Sequence, residues 1–496
     1  MSETHSRSLV RRAIMALILT IGYYTLALAT AGGLLFLIYQ QLTEGSFNIF
    51  ISILYFIVAI VIIWSIFPRI EKFVQSGPLL TPDQQPRLFN EMSSIAKSTH
   101  QEMPNEVYII PVLNAAVSQM GRTSLYKNRR IMAIGLPLLK VLTVSQFRAI
   151  LAHEFGHYCG NDIKLGPWVF KTRATIISTL WRIRGYSILQ LPFRVYAMMF
   201  LSITQPVSRQ QELTADAVAS RITDPQTMAS ALQKIHGAIP AWEAYWTNEV
   251  IPVFRAGYMP PIADGFERFM QSKTITCKVN QIIEEQTNQS QTNPYDSHPS
   301  LHDRIAAIGA QPVITELPDE PSAIFLINNI PQIEIDLVKR ISKIAHIEHL
   351  TPASWDDLVK LYYIPGWESS IKQQRLALEG VKPENLPELA QNLPKYESKI
   401  MGMFDLPLQQ RLDYGYQLIG AALTMALFKK GWTVNAAPGE DVTAILKEKT
   451  MFTFKIFPNL VSGALTGEQW LAIIKEIGIA GTDLSKAVID KSLPEG

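Results

Sequence analysis

At 496 residues the chain has length for about three domains. Its 45 basic and 43 acidic side chains leave a net charge of +2, and with no Lys/Arg-rich block there is no electrostatic footprint for nucleic acid. Only two cysteines occur, Cys159 and Cys277; they form no C-x-x-C pair, so a disulfide framework is excluded, and Cys159 reads as a small core residue.

The first elements are apolar. Residues 13–39 and 46–67 carry no charge, and Glu44 is the only charge between Arg12 and Arg69. Each segment is long enough for a bilayer core, which needs about 20 apolar residues. A cleaved signal peptide is the competing reading of the first segment, but its 27 uncharged residues exceed the usual core of about 7 to 15, and a second segment follows at once. The pattern predicts a transmembrane helical hairpin over residues 1–75 in a cell inner or plasma membrane, with the lipid bilayer as a partner. Arg7, Arg11 and Arg12 before it, and Arg69 and Lys72 after it, place both flanks and the following domain in the cytoplasm.

From residue 82 a helix is predicted over PDQQPRLFNEMSSIAKSTH, then β-like runs EVYII and RRIMAIG, a small sheet beside the next helix. AAVSQ at 115–119 is the candidate edge strand. An exposed edge can hold an extended peptide through backbone hydrogen bonds that do not read its sequence.

The next helix carries chemistry. Thr143 and Gln146 have the form of a capping box, and Phe147, Ile150, Leu151 and Phe155 recur at helical spacing. Within LAHEFGHYCG, His153 and His157 lie four residues apart, so their imidazoles stack on one face and can ligate one ion. Glu154 is turned about 100° from His153, placed to take a proton from water rather than to bind the metal. Residues 165–208 follow, with arginines at 173, 182, 194 and 209 interrupting the apolar run; that spacing suits a buried or interfacial helix better than a span. SRQQELTADAVAS then offers Glu212 and Asp216 one turn apart on a further helix. Glu212 would complete a His, His, Glu set with the fourth position open, the arrangement of a catalytic zinc site. Asp216 could accept the outer N–H of a ligating histidine and fix its tautomer.

The polar stretch 286–300 leads into His298 and reads as a loop, either a flap over a cleft or simply irregular chain. After Gln311-Pro312 helical runs IEIDLVKRISKIAH and LDYGYQLIGAALTMALFKKG alternate with Pro/Gly punctuation, followed by strand-like WTVNA and MFTFKIF and a closing helix GEQWLAIIKEIG. The HIEH at 346–349 has a spacing of three and reads as solvated surface.

HEFGH, ELTAD and SHPSLHDR in this order resemble the HtpX and CaaX-prenyl-protease superfamily of integral-membrane gluzincin peptidases, over roughly residues 10–310. The resemblance implies one zinc ion held by His153, His157 and Glu212, with Glu154 as catalytic base. It further implies Asn114 as the start of the substrate-pairing edge, His298 as a residue holding the tetrahedral intermediate, and Arg304 as a structural arginine. From the residues alone Asn114 is a turn residue and His298 a loop histidine beside a proline.

The expected fold is α+β and mostly helical: hairpin 1–75, a zinc peptidase domain 76–310 of metal helix plus small sheet, and a mainly α-helical accessory domain 311–496. The expected function is a membrane-anchored zinc endopeptidase acting on extended or unfolded protein and peptide segments, in membrane-protein quality control or processing. The alternatives are a CaaX prenyl protease-like enzyme, whose branch carries more membrane spans, and a non-catalytic membrane-anchored interaction protein with a structural zinc.

Overall fold

The structure is a computed structural model. It describes residues 3–45, 47–66, 77–120, 129–158, 166–182, 187–289, 296, 298–311, 320–345, 350–393 and 408–488. Cys159, the HIEH motif, Arg69 and Lys72 lie outside the described residues, as do the side chains of Arg7, Arg11 and Arg12. The chain is mostly helical, with small sheets, and forms two compact units, residues 1–239 with 280–340 and residues 240–279 with 341–496.

In the first unit, helices α1 (Glu3–Thr43) and α2 (Ile49–Ile66) pack against each other. Ile14–Thr43 is long and apolar enough to cross a membrane, and Ile49–Trp64 is a shorter apolar helix. Helix α6 (Gly166–Arg182) and the first half of α7 (Ser187–Ile222) join them around one apolar core of Tyr23, Ala27, Ala31, Val58, Ala59, Ile62, Ile176, Phe193, Ala197 and Phe200. Ile177, Trp181, Leu191, Val195, Met198 and Met199 are exposed on this bundle, as are Ile14, Ile18, Phe36, Ile53 and Phe56. The arginines of 165–208 therefore do not keep the segment away from the apolar hairpin, because its outward positions carry large apolar side chains as well.

Residues 77–156 supply the platform. Helix α3 (Pro86–Ser98) opens with Pro86 at its first position, where a missing N–H costs nothing. Strands β1 (Leu79–Leu80), β2 (Glu106–Ile110), β3 (Ala115–Met120) and β4 (Arg129–Gly135) form a sheet in the order β1-β2-β4-β3. β2 and β4 are parallel, and β3 is an edge strand antiparallel to β4 with Val117 opposite Met132. Gly135 is required where β4 ends, because a Cβ there would collide with the carbonyl oxygen of Val112. Helix α4 (Leu136–Val141) then leads to α5 (Val144–Gly156), which begins with the capping box of Thr143 and Gln146.

Residues 320–340, expected in the accessory domain, pack with the first unit instead. Ser145, in the first turn of α5, donates its N–H to Glu320 Oε1 at 3.1 Å and its hydroxyl to the same oxygen at 2.8 Å. The carboxylate thus meets the positive end of the helix dipole. Ala323 N–H donates to the Leu142 carbonyl at 2.8 Å, and Val144 N–H to that of Pro321 at 3.2 Å. The chain at 320–323 thus returns to cap α5.

The second unit is built on the buried helix Leu408–Lys429. Strands Thr433–Asn435, Thr443–Leu446 and Lys449–Met451 form a small antiparallel sheet. MFTFKIF, expected as a strand, is largely the helix Thr453–Ser462. Its buried residues Thr453, Ile456, Phe457 and Leu460 recur at helical period, so tertiary burial outweighs the β-propensity of the aromatics. GEQWLAIIKEIG forms the helix Gly467–Ile477, with a capping box from Thr466 and Gln469 and a left-handed Gly478 at its end.

Candidate metal centre

The site is assembled by two crossing helices. On α5, the His153 and His157 ring centroids are 4.7 Å apart and nearly perpendicular. His157 sits at the helix C-cap in right-handed helical conformation, so the four-residue stacking survives to the helix end. Gly156 lets α7 approach: a Cβ there would stand 3.1 Å from Ala215 Cα and 3.3 Å from Val218 Cβ, tighter than ordinary contact. The glycine inside HEFGH thereby brings the helix bearing Glu212 onto the metal helix.

Glu212 faces both imidazoles, with Oε2 at 3.6 Å from His153 Nε2 and Oε1 at 3.6 Å from His157 Nε2. Metal–ligand bonds of about 2.0–2.1 Å at tetrahedral angles place ligand atoms about 3.3 Å apart, so these three side chains fit a single zinc ion with little adjustment. His153, Glu154 and His157 also offer donor atoms all within 4.8 Å of one another. Glu154, however, is turned toward the sheet, where its Oε2 accepts the N–H of Val117 at 3.3 Å. Glu212 thus stands against both imidazoles, with Glu154 alongside them.

A buried relay stands behind the ligands. Asp216 Oδ1 lies 2.8 Å from His153 Nδ1, leaving Nε2 for the metal. Arg304 grips Asp216 with two parallel donors, Nε to Oδ2 at 2.8 Å and Nη2 to Oδ1 at 2.7 Å. Asp216 is fully buried and Arg304 nearly so. Arg304 reaches this position from the short helix Leu301–Ala307, whose first turn is capped by Ser300. His298, immediately before that helix, is exposed and holds Nδ1 3.0 Å from Glu212 Oε2. Asn114 is exposed at the entry to β3, its carbonyl accepting from Gly135 N–H. The described contacts of the cluster join His153, Glu154, His157, Glu212, Asp216, His298 and Arg304, but not Asn114.

The electrostatics suit a cation. Burial works against a charge on His153, but Asp216 and Glu212 outweigh it and push the imidazole up to about 9. Burial, with the neighbouring His153, lowers His157 to about 4. Glu154 is pushed up to about 7, chiefly by burial. Glu212 is held well below the usual carboxylate range despite burial, because His153 and His298 stand against it.

A metal must displace the proton on His153, which is present below about pH 9. Zinc binding at pH 7.5 is thus expected to release about one proton per ion, and affinity should rise as pH approaches 9. Calorimetry in buffers of different ionisation enthalpy reads this directly. Binding without proton release, or affinity flat from pH 7 to 9, would contradict the arrangement.

The comparisons with known proteins fall on the same residues. The model of Peptidase family M48 matches residues 82–311. A protease HtpX homolog of Nostoc sp. is 26% identical over 307 residues, 58% of this chain and 95% of that protein. One of Trichormus variabilis is 28% identical over 236 residues, 44% and 80% respectively. The protease HtpX of Hahella chejuensis is 25% identical over 252 residues, 46% and 74%. No solved structure matches the chain. The histidines, the carboxylates and the buried arginine all lie inside the segment that is similar to peptidase family M48 and to these HtpX proteases.

Proposed function

We propose that the chain is a membrane-anchored zinc endopeptidase of the gluzincin type, cutting extended or unfolded protein segments in membrane-protein quality control or processing. The observation that carries this is the fit of Glu212, through one oxygen to each, onto the Nε2 atoms of His153 and His157, with Glu154 alongside. Zinc held by these three residues would supply a water of lowered pKa and polarise the scissile carbonyl.

The remaining steps belong to the chain's own groups. Glu154 takes the proton of the attacking water and delivers it to the leaving nitrogen. Its bond from Val117 keeps the carboxylate oriented, while its burial raises its basicity. His298, on the exposed side of Glu212, is placed to donate to the oxyanion once Glu212 turns to the metal. Asp216 and Arg304 hold the tautomer of His153. The edge strand β3, which begins beyond Asn114, offers an extended peptide the outward backbone groups that flank Val117, whose own are taken by Glu154 and Tyr158.

The bundle supports the anchor. Large apolar side chains exposed on α1, α2, α6 and the first half of α7 form a surface that a water-soluble fold would bury, so we place all four elements in the bilayer. Arg7, Arg11, Arg12, Arg69 and Lys72 flank the first two while Glu44 alone lies between them, which favours a cytoplasmic catalytic domain.

The test is cleavage of unfolded casein by the detergent-purified chain, with chelator and after zinc is restored. Chelator-sensitive cleavage that zinc restores is expected. Cleavage of a farnesylated peptide but not of casein would transfer the assignment to the prenyl-protease reading, and stoichiometric zinc with no cleavage of either substrate would mark an interaction protein.

A further inference from the structure

Two side chains, one on the metal helix and one in the turn after it, hold the backbone of the edge strand. The β3–β4 pairing alternates: Gly135 N–H donates to the Asn114 carbonyl, so residues 114, 116 and 118 turn their backbone groups to β4, and 115, 117 and 119 turn theirs to the open edge. Val117 is the middle of the outward set. Its N–H donates to Glu154 Oε2 at 3.3 Å, and its carbonyl accepts from the Tyr158 hydroxyl at 2.8 Å. Glu154 on the helix and Tyr158 in the turn just after it thus present an acceptor and a donor matched to a single strand residue. Tyr158 is itself fixed. The Arg130 guanidinium lies 4.8 Å from its ring centroid, and Gln101 Nε2 donates to its carbonyl at 3.2 Å.

We propose that Tyr158 is a positioning residue for peptide hydrolysis: its hydroxyl ties the edge strand to the metal helix, fixing the distance and register at which a peptide lying along β3 meets Glu154 and the metal ligands. This rests on the peptidase reading above. Displacement of the reacting bond by about an ångström costs up to about a hundredfold in rate, and without the hydroxyl only Glu154 of these two side chains still ties β3, itself paired with β4, to the metal helix.

The test compares wild-type full-length chain with Tyr158→Phe and Arg130→Gln in detergent, all loaded with zinc. Cleavage sites on one defined unfolded polypeptide are mapped by mass spectrometry, and hydrogen exchange is followed across 115–120. Tyr158→Phe keeps the ring beneath Arg130 and loses only the hydroxyl. It is expected to retain zinc, to exchange the Val117 amide about tenfold faster, and to spread its cuts over neighbouring bonds with kcat falling more than KM rises. Arg130→Gln, which leaves the hydroxyl but frees the ring, should move both readouts the same way by less. A purely structural role for Tyr158 would lower the yield of an unchanged set of products. That result, or exchange as slow as in the wild type, overturns the proposal; if Tyr158→Phe fails to bind zinc, an unchanged pattern in Arg130→Gln does so. A wild-type chain that cuts nothing sinks the peptidase reading, whereas one that cuts with indifference to Tyr158→Phe sinks this inference alone.

Discussion

A Glu154→Gln variant is expected to bind zinc as the wild type does and to cleave unfolded protein roughly 10²–10⁴-fold more slowly. The amide keeps the shape of the side chain and an acceptor for the Val117 N–H, so neither the metal helix nor its dock on β3 is disturbed. Only the capacity to take and return a proton is lost. Zinc content measured beside the cleavage rate separates this from loss of the site. Cleavage near the wild-type rate in a zinc-replete variant would remove Glu154 from the base role.

The second large effect is expected at Arg304, which lies outside the metal's reach. Replacing it with Met leaves Asp216 fully buried beside His153 without its two-pronged partner. Breaking a buried pair in this way costs about 3–5 kcal/mol of stability. Metal affinity should drop by roughly 10–100-fold, as is usual when the group orienting a ligand is disturbed. Adding Asp216→Asn to the Met variant should recover part of the thermal stability, since the stranded charge is gone, while affinity stays low because His153 still lacks its carboxylate. Melting and zinc competition on the single and double variants check both halves. A single variant as stable as the wild type would mean that water reaches Asp216.

Much of the site could be read from residue spacing because the features concerned are local to one helix. The Thr143–Gln146 capping box, the stacking of His153 on His157 and the turn between Glu212 and Asp216 each follow from helical geometry over four residues or fewer. The pairing of Glu212 with the two imidazoles across more than fifty residues was accessible only because each half was recognisable by itself. Tyr158 could not be found this way: its partner is the main-chain carbonyl of Val117, and no side-chain pattern records which backbone atom a hydroxyl will meet. Glu320 was missed for a related reason, since a carboxylate capping a helix 175 positions earlier leaves no trace in its own neighbourhood. MFTFKIF misled because aromatic and β-branched residues imitate a strand, whereas its buried positions keep a helical interval. The buried reading of 165–208 agrees with the apolar bundle that α6 and α7 join.

Helix α7 is continuous from Ser187 to Ile222, with Phe193, Ala197 and Phe200 among the apolar side chains of the bundle and Glu212 at the metal centre. A screw motion by one residue, carried along this helix past the interior Pro206, advances Glu212 by about 1.5 Å, several times the tolerance of about 0.2 Å for a ligand bond. Glu212 is therefore geared to the apolar end of its own helix. With the bundle placed in the bilayer as proposed above, bilayer thickness, lateral pressure or the choice of solubilising amphiphile becomes a dial on metal retention.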